Sequence, residues 1–346
     1  MHMADALISP AVGGTFWAIS AGLIGYSCRQ IRTKLDDSKI PLMGVTGAFV
    51  FAAQMINFAI PATGSSGHLG GGMILAILLG PWAGFLVMAS ILTIQALFFA
   101  DGGLLALGCN IFNLGFWTCF VAYPFIYKKI AAQQPSQTKL FWASIISAVL
   151  GLQLGAFSVV MQTVLSGISE LPFGTFIMTM LPIHLAIGIV EGFVTAGVVR
   201  FIAKTNPQII YTIQPQAKNA SLSVKYMGLI LAAVIIGGML SWFASSAPDG
   251  LEWSMLKTAG REELEPLAHP LYDKLDSIQE KTAFLPDYSF KQVPEEKSQT
   301  EPKWPAVSAE TTISGLVGVV STLVLSAGIG FLLKWKLKPS SLKRNI

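Results

Sequence analysis

Apolar stretches without a single Asp, Glu, Lys or Arg fill residues 6–28, 40–100, 102–127, 140–169, 226–248 and 311–333. A bilayer core takes about 20 apolar helical residues per crossing, and each stretch is long enough for at least one. Outside segment 247–310 the basic residues fall in four clusters: Arg29/Arg32/Lys34/Lys39, Lys128/Lys129/Lys139, Arg200/Lys204/Lys218/Lys225 and Lys334/Lys336/Lys338/Lys343/Arg344. The positive-inside rule puts all four on the cytoplasmic side, so an even number of crossings separates each from the next. Stretches 40–100 and 102–127 must then supply four. Leu69–Ala100 would run about 48 Å as one helix, and Gly80-Pro81 divides it, because proline lacks the N–H and disfavours helix before it. Helices are predicted near 9–28, 41–58, 68–79, 82–99, 103–127, 140–166, 173–199, 226–246 and 312–333. That pattern puts the N-terminus outside, the C-terminus in the cytoplasm, and Asp5, Asp101, Glu170 and the acidic loop outside.

The fold class is therefore an all-α integral membrane protein, multi-pass in the cell membrane. A seven-helix bundle spans 1–205, a polar cytoplasmic linker 206–225, and a two-helix hairpin 226–346 carries the extracytoplasmic loop 247–310. Within that loop, 257–303 alternates charged and polar residues with little apolar periodicity and is expected to be mobile or weakly folded. Composition agrees: the 346 residues are 53% hydrophobic and only 12% charged, against about 25% charged in soluble domains. Basic clusters flanking membrane helices account for the net charge of +4 without nucleic acid. Residues 1–5 contain no Lys or Arg, so they do not read as a cleaved signal, and the mature chain is expected to begin at Met1. Cys28, Cys109 and Cys119 lie in or beside apolar stretches without CxxC spacing and read as buried thiols.

Four histidines carry the candidate chemistry. A free amine on Met1 sits one residue from the imidazole of His2. The amine, the deprotonated amide of His2 and a His2 ring nitrogen close fused five- and six-membered chelate rings. Three nitrogens in a plane suit Ni(II) or Cu(II) and not tetrahedral Zn(II). The plainer reading is a terminus with an incidental histidine. His68 lies in the glycine-rich run Pro61-Ala-Thr-Gly-Ser-Ser-Gly-His-Leu-Gly-Gly-Gly72, on the side predicted for Met1, and could fill a fourth position or merely face water. Ser65 and Ser66 beside it lack a GxSxG elbow or a nearby acid, which argues against a hydrolase. His184 and Glu191, seven residues apart, share one helix face. Intramembrane ionisable groups are functional hypotheses by default, and the pair reads equally as an ion path or coupling element and as a structural polar seam. Asn110 and Asn113, i,i+3 neighbours, either orient a ligand histidine as outer partners, as Ser65 also could, or bond helix backbone. No GxGxxG or Walker loop is present, so the chain is not expected to bind nucleotide, and no catalytic residue or cofactor is assigned.

The run Met1-His2-Met3-Ala4-Asp5-Ala6-Leu7-Ile8-Ser9-Pro10 resembles the CbiM/NikM family, the substrate-binding membrane subunits of energy-coupling-factor importers for cobalt and nickel. The resemblance continues through Gly67-His68-Leu69, Leu79-Gly80-Pro81-Trp82-Ala83-Gly84, Gln95-Ala96-Leu97, Asp101-Gly102-Gly103-Leu104, Asn110, Asn113 and His184-Leu185…Gly188…Glu191-Gly192, over residues 1 to about 200. Pro248-Asp-Gly-Leu-Glu-Trp253 resembles the PDGLE-type accessory component, fused here over roughly 222–340. The resemblance implies that Met1, His2 and His68 are metal ligands. It also implies a transmembrane coupling subunit and cytoplasmic ATPase subunits as partners. Fusion to a PDGLE segment leans towards Ni(II) as the transported ion, with Co(II) as the alternative. A membrane metalloenzyme would need an open coordination position and a general base; a self-contained secondary transporter would need a polar path, for which His184 and Glu191 are the only hint.

Overall fold

The computed structural model describes residues 2–32, 39–132, 135–210, 222–291 and 304–335. In the first part α1 is Pro10–Arg32, α2 Lys39–Gln54, α3 Gly72–Leu79, α4 Pro81–Phe99, α5 Leu107–Ala131, α6 Gln137–Ser166 and α7 Phe173–Thr205. In the second, α8 is Leu222–Gly238, α9 Gly250–Ala259, α10 Pro270–Thr282 and α11 Ala309–Trp335. Six of these, α1, α4, α5, α6, α7 and α11, are long and apolar enough to cross a membrane.

Local chemistry sets the ends. Pro81 occupies the first turn of α4, and Gly80 takes φ 86°, a left-handed value that glycine adopts without Cβ strain. Ser136 caps α6 by accepting from the Lys139 N–H at 3.2 Å, and Gly167 closes it at φ 63°. Arg29 and Arg32, Lys204 and Lys334 lie in the last turns of α1, α7 and α11, where cations complement the helix dipole. Helix α3 begins at Gly72, later than predicted, and every residue of it is buried. At about 12 Å it is too short to span, and it sits inside the bundle.

Two expectations need correction. Residues 58–67 form an antiparallel hairpin, β1 Phe58–Ile60 and β2 Ser65–Gly67, with Ala59 opposite Ser66. Glycine and serine there leave no alternating pattern to read. The outer loop is also folded over 257–291: α9 and α10 are regular helices, and Tyr272 is buried at 1% exposure. Its order comes from capping and from docking onto the bundle, which periodicity does not register; 292–303 lies outside the described residues.

Small residues let the helices approach closely. Gly192 of α7 faces Ile145 of α6, where an added Cβ would meet the Ile145 Cα at 2.8 Å. Helix α11 lies along α2, with Gly44 against the Leu323 carbonyl and Gly318 against the Phe51 ring. Gly237 of α8 and Gly315 of α11 touch backbone to backbone. Apolar side chains face outward on α6, α7 and α11, Trp142, Phe193, Phe201 and Phe331 among them, as contact with hydrocarbon requires.

Candidate metal centre

Residues 2–8 do not hang free; they thread into one end of the bundle. Met3, Leu7 and Ile8 are buried. The Met3 N–H donates to Asn110 Oδ1 at 2.8 Å, and Asn110 Nδ2 returns a bond to the Met3 carbonyl at 3.2 Å. The Gly103 N–H adds a second donor to that carbonyl at 3.0 Å. One turn along α5, Asn113 exchanges two bonds with Gln162 of α6, at 2.8 and 2.9 Å, and points its Nδ2 at the Met3 sulfur. Asp5 Oδ1 accepts from the Ala106 N–H at 2.8 Å. Gly103 passes so close to Asp5 that a side chain there would collide with the thread, and at Gly102, whose φ is 86°, an added Cβ would crowd the Asn110 amide at 2.9 Å. Of the sequence-predicted asparagines, Asn110 thus holds the main chain beside His2, and Asn113 meets the Met3 side chain. Neither contacts an imidazole by hydrogen bond.

The thread brings His2 to His68. Their rings stack with centroids 5.0 Å apart and planes 2° from parallel. His2 Nδ1 lies 3.0 Å from Asp101 Oδ1, while His2 Nε2 is buried and has no hydrogen-bond partner among the described residues. His68 Nδ1 lies 3.1 Å from the Leu69 carbonyl. A carbonyl only accepts, so Nδ1 carries the proton and the lone pair rests on Nε2, the tautomer of a metal-ready histidine. Burial pushes His68 down to about 3, so it is neutral at physiological pH. The 3.8 Å approach of His68 Nε2 to Asp249 Oδ2 is therefore not an ion pair. Burial works to raise the Asp101 carboxyl, but the adjacent His2 and the donors His2 and Tyr288 hold it well below its ordinary range. The Tyr288 hydroxyl donates to Asp101 Oδ2 at 2.6 Å.

Helix α7 anchors the segment after His68. Glu191 accepts from the Gly70 N–H at 2.9 Å and the Gly71 N–H at 3.0 Å, just before α3 begins. Gln54 Nε2 donates to the Gly70 carbonyl at 2.8 Å and is itself met by Gln95. His184 bonds the Met180 carbonyl through Nδ1 at 2.8 Å and lines a small cavity with His68 and Asp249. His184 and Glu191 both turn towards the His68 segment but do not pair with each other. Ser65 faces away from the imidazoles, donating to the Ser66 and Pro248 carbonyls at 3.1 and 3.3 Å. Met1 lies outside the described residues. Of the three cysteines, Cys109 and Cys119 are buried and Cys28 is half-buried; all are unbridged.

Sequence reasoning missed Asp101 and Asp249 as neighbours of the histidines. Asp101 had a signal, since it ends α4 on the side predicted for His2; Asp249 had none, because its place depends on docking of the second part. Ser66 donates from its N–H to the Pro248 carbonyl at 2.8 Å and from its hydroxyl to the Ala247 carbonyl at 2.7 Å. Trp253 Nε1 donates to the Thr63 carbonyl at 3.0 Å. Those bonds seat the start of α9 over His68.

A polytopic helical membrane protein thus carries two stacked, largely covered histidines at the end of the bundle into which residues 2–8 thread. Residues 2–209 match the family described as CbiM, cobalt uptake substrate-specific transmembrane region, and residues 224–335 match the PDGLE domain. The chain belongs to the CbiM family and carries a fused PDGLE domain, a membrane subunit of metal uptake. It is 33% identical to an Archaeoglobus fulgidus protein with the provisional name fused nickel transport protein NikMN, over 94% of this chain and 96% of that one. The Sorangium cellulosum cobalt transport protein CbiM is 29% identical over 62% of this chain and 96% of its own. A crystal structure of a transition metal transporter superposes with TM-score 0.53 at 30% identity, covering 60% of this chain and 94% of that one.

Proposed function

We propose that this chain captures Ni(II) at the outer face of the membrane and presents it for ATP-driven import by a coupling subunit and ATPase subunits. The ligands are the Met1 amine, the deprotonated His2 amide, the His2 imidazole and His68 Nε2. The observation that carries the reading is the buried thread that sets the His2 ring against the His68 ring. Among the described residues no group of three or more His, Cys, Asp or Glu side chains could hold a metal. A site built around these two imidazoles therefore draws its other donors from the backbone, which the terminal chelate supplies. Closing the six-membered chelate ring takes His2 Nδ1, the nitrogen that faces Asp101 here. Turning the ring about Cβ–Cγ takes Nδ1 off the Asp101 carboxylate and presents it to the metal.

Fusion to a PDGLE domain favours nickel, because relatives sharing it, from Archaeoglobus fulgidus and Lactiplantibacillus plantarum, bear nickel transport names. Seven helices through residue 205 make the substrate-binding bundle, 206–225 a cytoplasmic linker, and α8 with α11 the accessory hairpin. The N-terminus lies outside and the C-terminus inside, as the basic helix ends favour. The test adds one residue before Met1 and compares Ni(II) binding in C-terminally tagged chains. Loss of high-affinity binding is expected although every side chain remains; native affinity in the extended chain would overturn the terminal chelate.

A further inference from the structure

His68 lies in a run that includes Gly67, Gly70, Gly71 and Gly72, a backbone with little stiffness of its own. We infer that Glu191 is the positioning residue of His68, acting through the Leu69–Gly70 peptide. Its carboxylate fixes the Gly70 N–H, and the Leu69 carbonyl of the same plane then holds His68 Nδ1 so that Nε2 faces the metal. That role rests on His68 Nε2 being a metal ligand, as proposed above.

The bonds run in series. Glu191 Oε2 accepts from the Gly70 N–H at 2.9 Å, and Oε1 from the Gly71 N–H at 3.0 Å. The Gly70 N–H and the Leu69 carbonyl belong to one planar peptide unit. Fixing one end of that unit fixes the direction of the other, and the Leu69 carbonyl meets His68 Nδ1 at 3.1 Å. An N–H bonded to a carboxylate also polarises its peptide, which makes the carbonyl a better acceptor for the ring N–H. Metal-binding histidines give their second ring N–H to a carboxylate or a carbonyl. Here the carboxylate stands one peptide behind the carbonyl.

Helix α7 is well placed to set the loop. Ile187, one turn before Glu191 on the same face, packs against Gly67, where an added Cβ would collide with it. One helix face thus touches the chain on both sides of His68. Gly188 and Gly192 bring α7 close against α6, where an added Cβ would lie 3.2 Å from the Val149 Cα and 2.8 Å from the Ile145 Cα. The carboxylate is therefore carried on a firmly packed helix. Glu191 is 1% exposed, and among the described residues it makes no ion pair. An intramembrane carboxylate is costly, and the two glycine N–H groups are what it bonds. Planar Ni(II) needs its fourth nitrogen in the plane of the other three, and Co(II) is less bound to that geometry. Loss of the orientation should therefore weaken Ni(II) more than Co(II).

The test uses the purified full chain with its native N-terminus, titrated with Ni(II) or Co(II) as simple salts against a competing chelator. Glu191→Gln sets one oxygen and one NH2 group against two N–H groups, so one bond is lost and a donor faces a donor. Ni(II) affinity should fall about ten- to a hundredfold and Co(II) affinity less, and the visible band of planar Ni(II) should shift with one ion still bound. Glu191→Ala, which leaves room for water at both N–H groups, should show the same signature. Native Ni(II) affinity and spectrum in both variants would overturn the inference. Equal losses for the two ions, with early melting and a native spectrum, would overturn it as well, since that marks a residue that only holds the start of α3. Nitrogen NMR of the unmutated, metal-free chain needs no variant: the ring proton of His68 should sit on Nδ1, and a proton on Nε2 would also sink the role. His68→Ala separates this role from the site itself. If it abolishes binding while Glu191→Gln behaves as native, only the role of Glu191 falls. If His68→Ala binds Ni(II) as the native chain does, the histidine site falls and this role with it.

Discussion

Two segments distant in sequence meet at His68, and they are held by different means. The N-terminal thread is fixed by buried amide side chains and tight glycines of the bundle, with Met3 bonded from three directions. The outer segment is fixed in both directions: its Ala247 and Pro248 carbonyls accept from Ser66 and Ser65, and its Trp253, Tyr272 and Gln279 side chains donate to carbonyls of the first part. In a dry interior an orphaned amide costs about 1–3 kcal/mol, so the thread has one favourable arrangement. The bonds that Ser65 and Ser66 make to the Ala247 and Pro248 carbonyls are only part-buried, and water can replace them. The proposed ligands thus sit on the more firmly held region, and the start of α9 on the one more able to open.

The largest effect should follow from breaking the thread. Asn110→Ala orphans the Met3 N–H, while the Met3 carbonyl keeps the Gly103 donor, and at about 1–3 kcal/mol for the orphaned buried group it should lower Ni(II) affinity by about ten- to a hundredfold. Equilibrium titration checks this, with thermal melting of the metal-free chain as control. Affinity close to native would mean that the thread does not place the site.

A middle effect comes from the bond that ties the two regions together. The Tyr272 hydroxyl, on α10, donates to the Ile8 carbonyl at 2.8 Å. Tyr272→Phe keeps the buried ring and removes the donor, at a cost of about 1–2 kcal/mol. It should accelerate proteolysis within 260–285 while leaving Ni(II) affinity within about threefold, because Met3 keeps its own bonds. A fall in affinity as large as that of Asn110→Ala would make thread and outer segment one unit.

The same contrast explains what could be read from sequence. The helices were legible because charge is excluded from long runs and returns in basic clusters at their ends. His2 and His68 were legible because an imidazole next to a terminal amine, and another in a glycine-rich loop, are chemically unusual positions in an apolar chain. The role of Glu191 was half legible: a carboxylate inside a membrane helix demanded a partner, but only the fold supplies the Gly70 and Gly71 N–H groups. The hairpin 58–67 and the folded outer segment were not legible, since both are made by backbone hydrogen bonds between segments whose side chains carry no period. Asp249 belongs to that class. Its place over His68 follows from Ser66, almost two hundred residues earlier in the chain.

The smallest effect is the most direct test of the contrast. Ser66→Ala removes the hydroxyl bond to the Ala247 carbonyl at 2.7 Å but keeps the Ser66 N–H on the Pro248 carbonyl and Trp253 on the Thr63 carbonyl. A single net hydrogen bond contributes about 1 kcal/mol, which raises the population of any opening that breaks it about fivefold. If the outer segment opens on its own, amide exchange in Gly250–Ala259 should quicken by about that factor. Met3 and Ile8, held by the bundle, should exchange at their native rates. Ni(II) affinity should be unchanged, since the proposed ligands are untouched. Exchange that quickens equally in both regions would show that they open together, and the division between a rigid ligand-bearing region and a separable cover would be wrong.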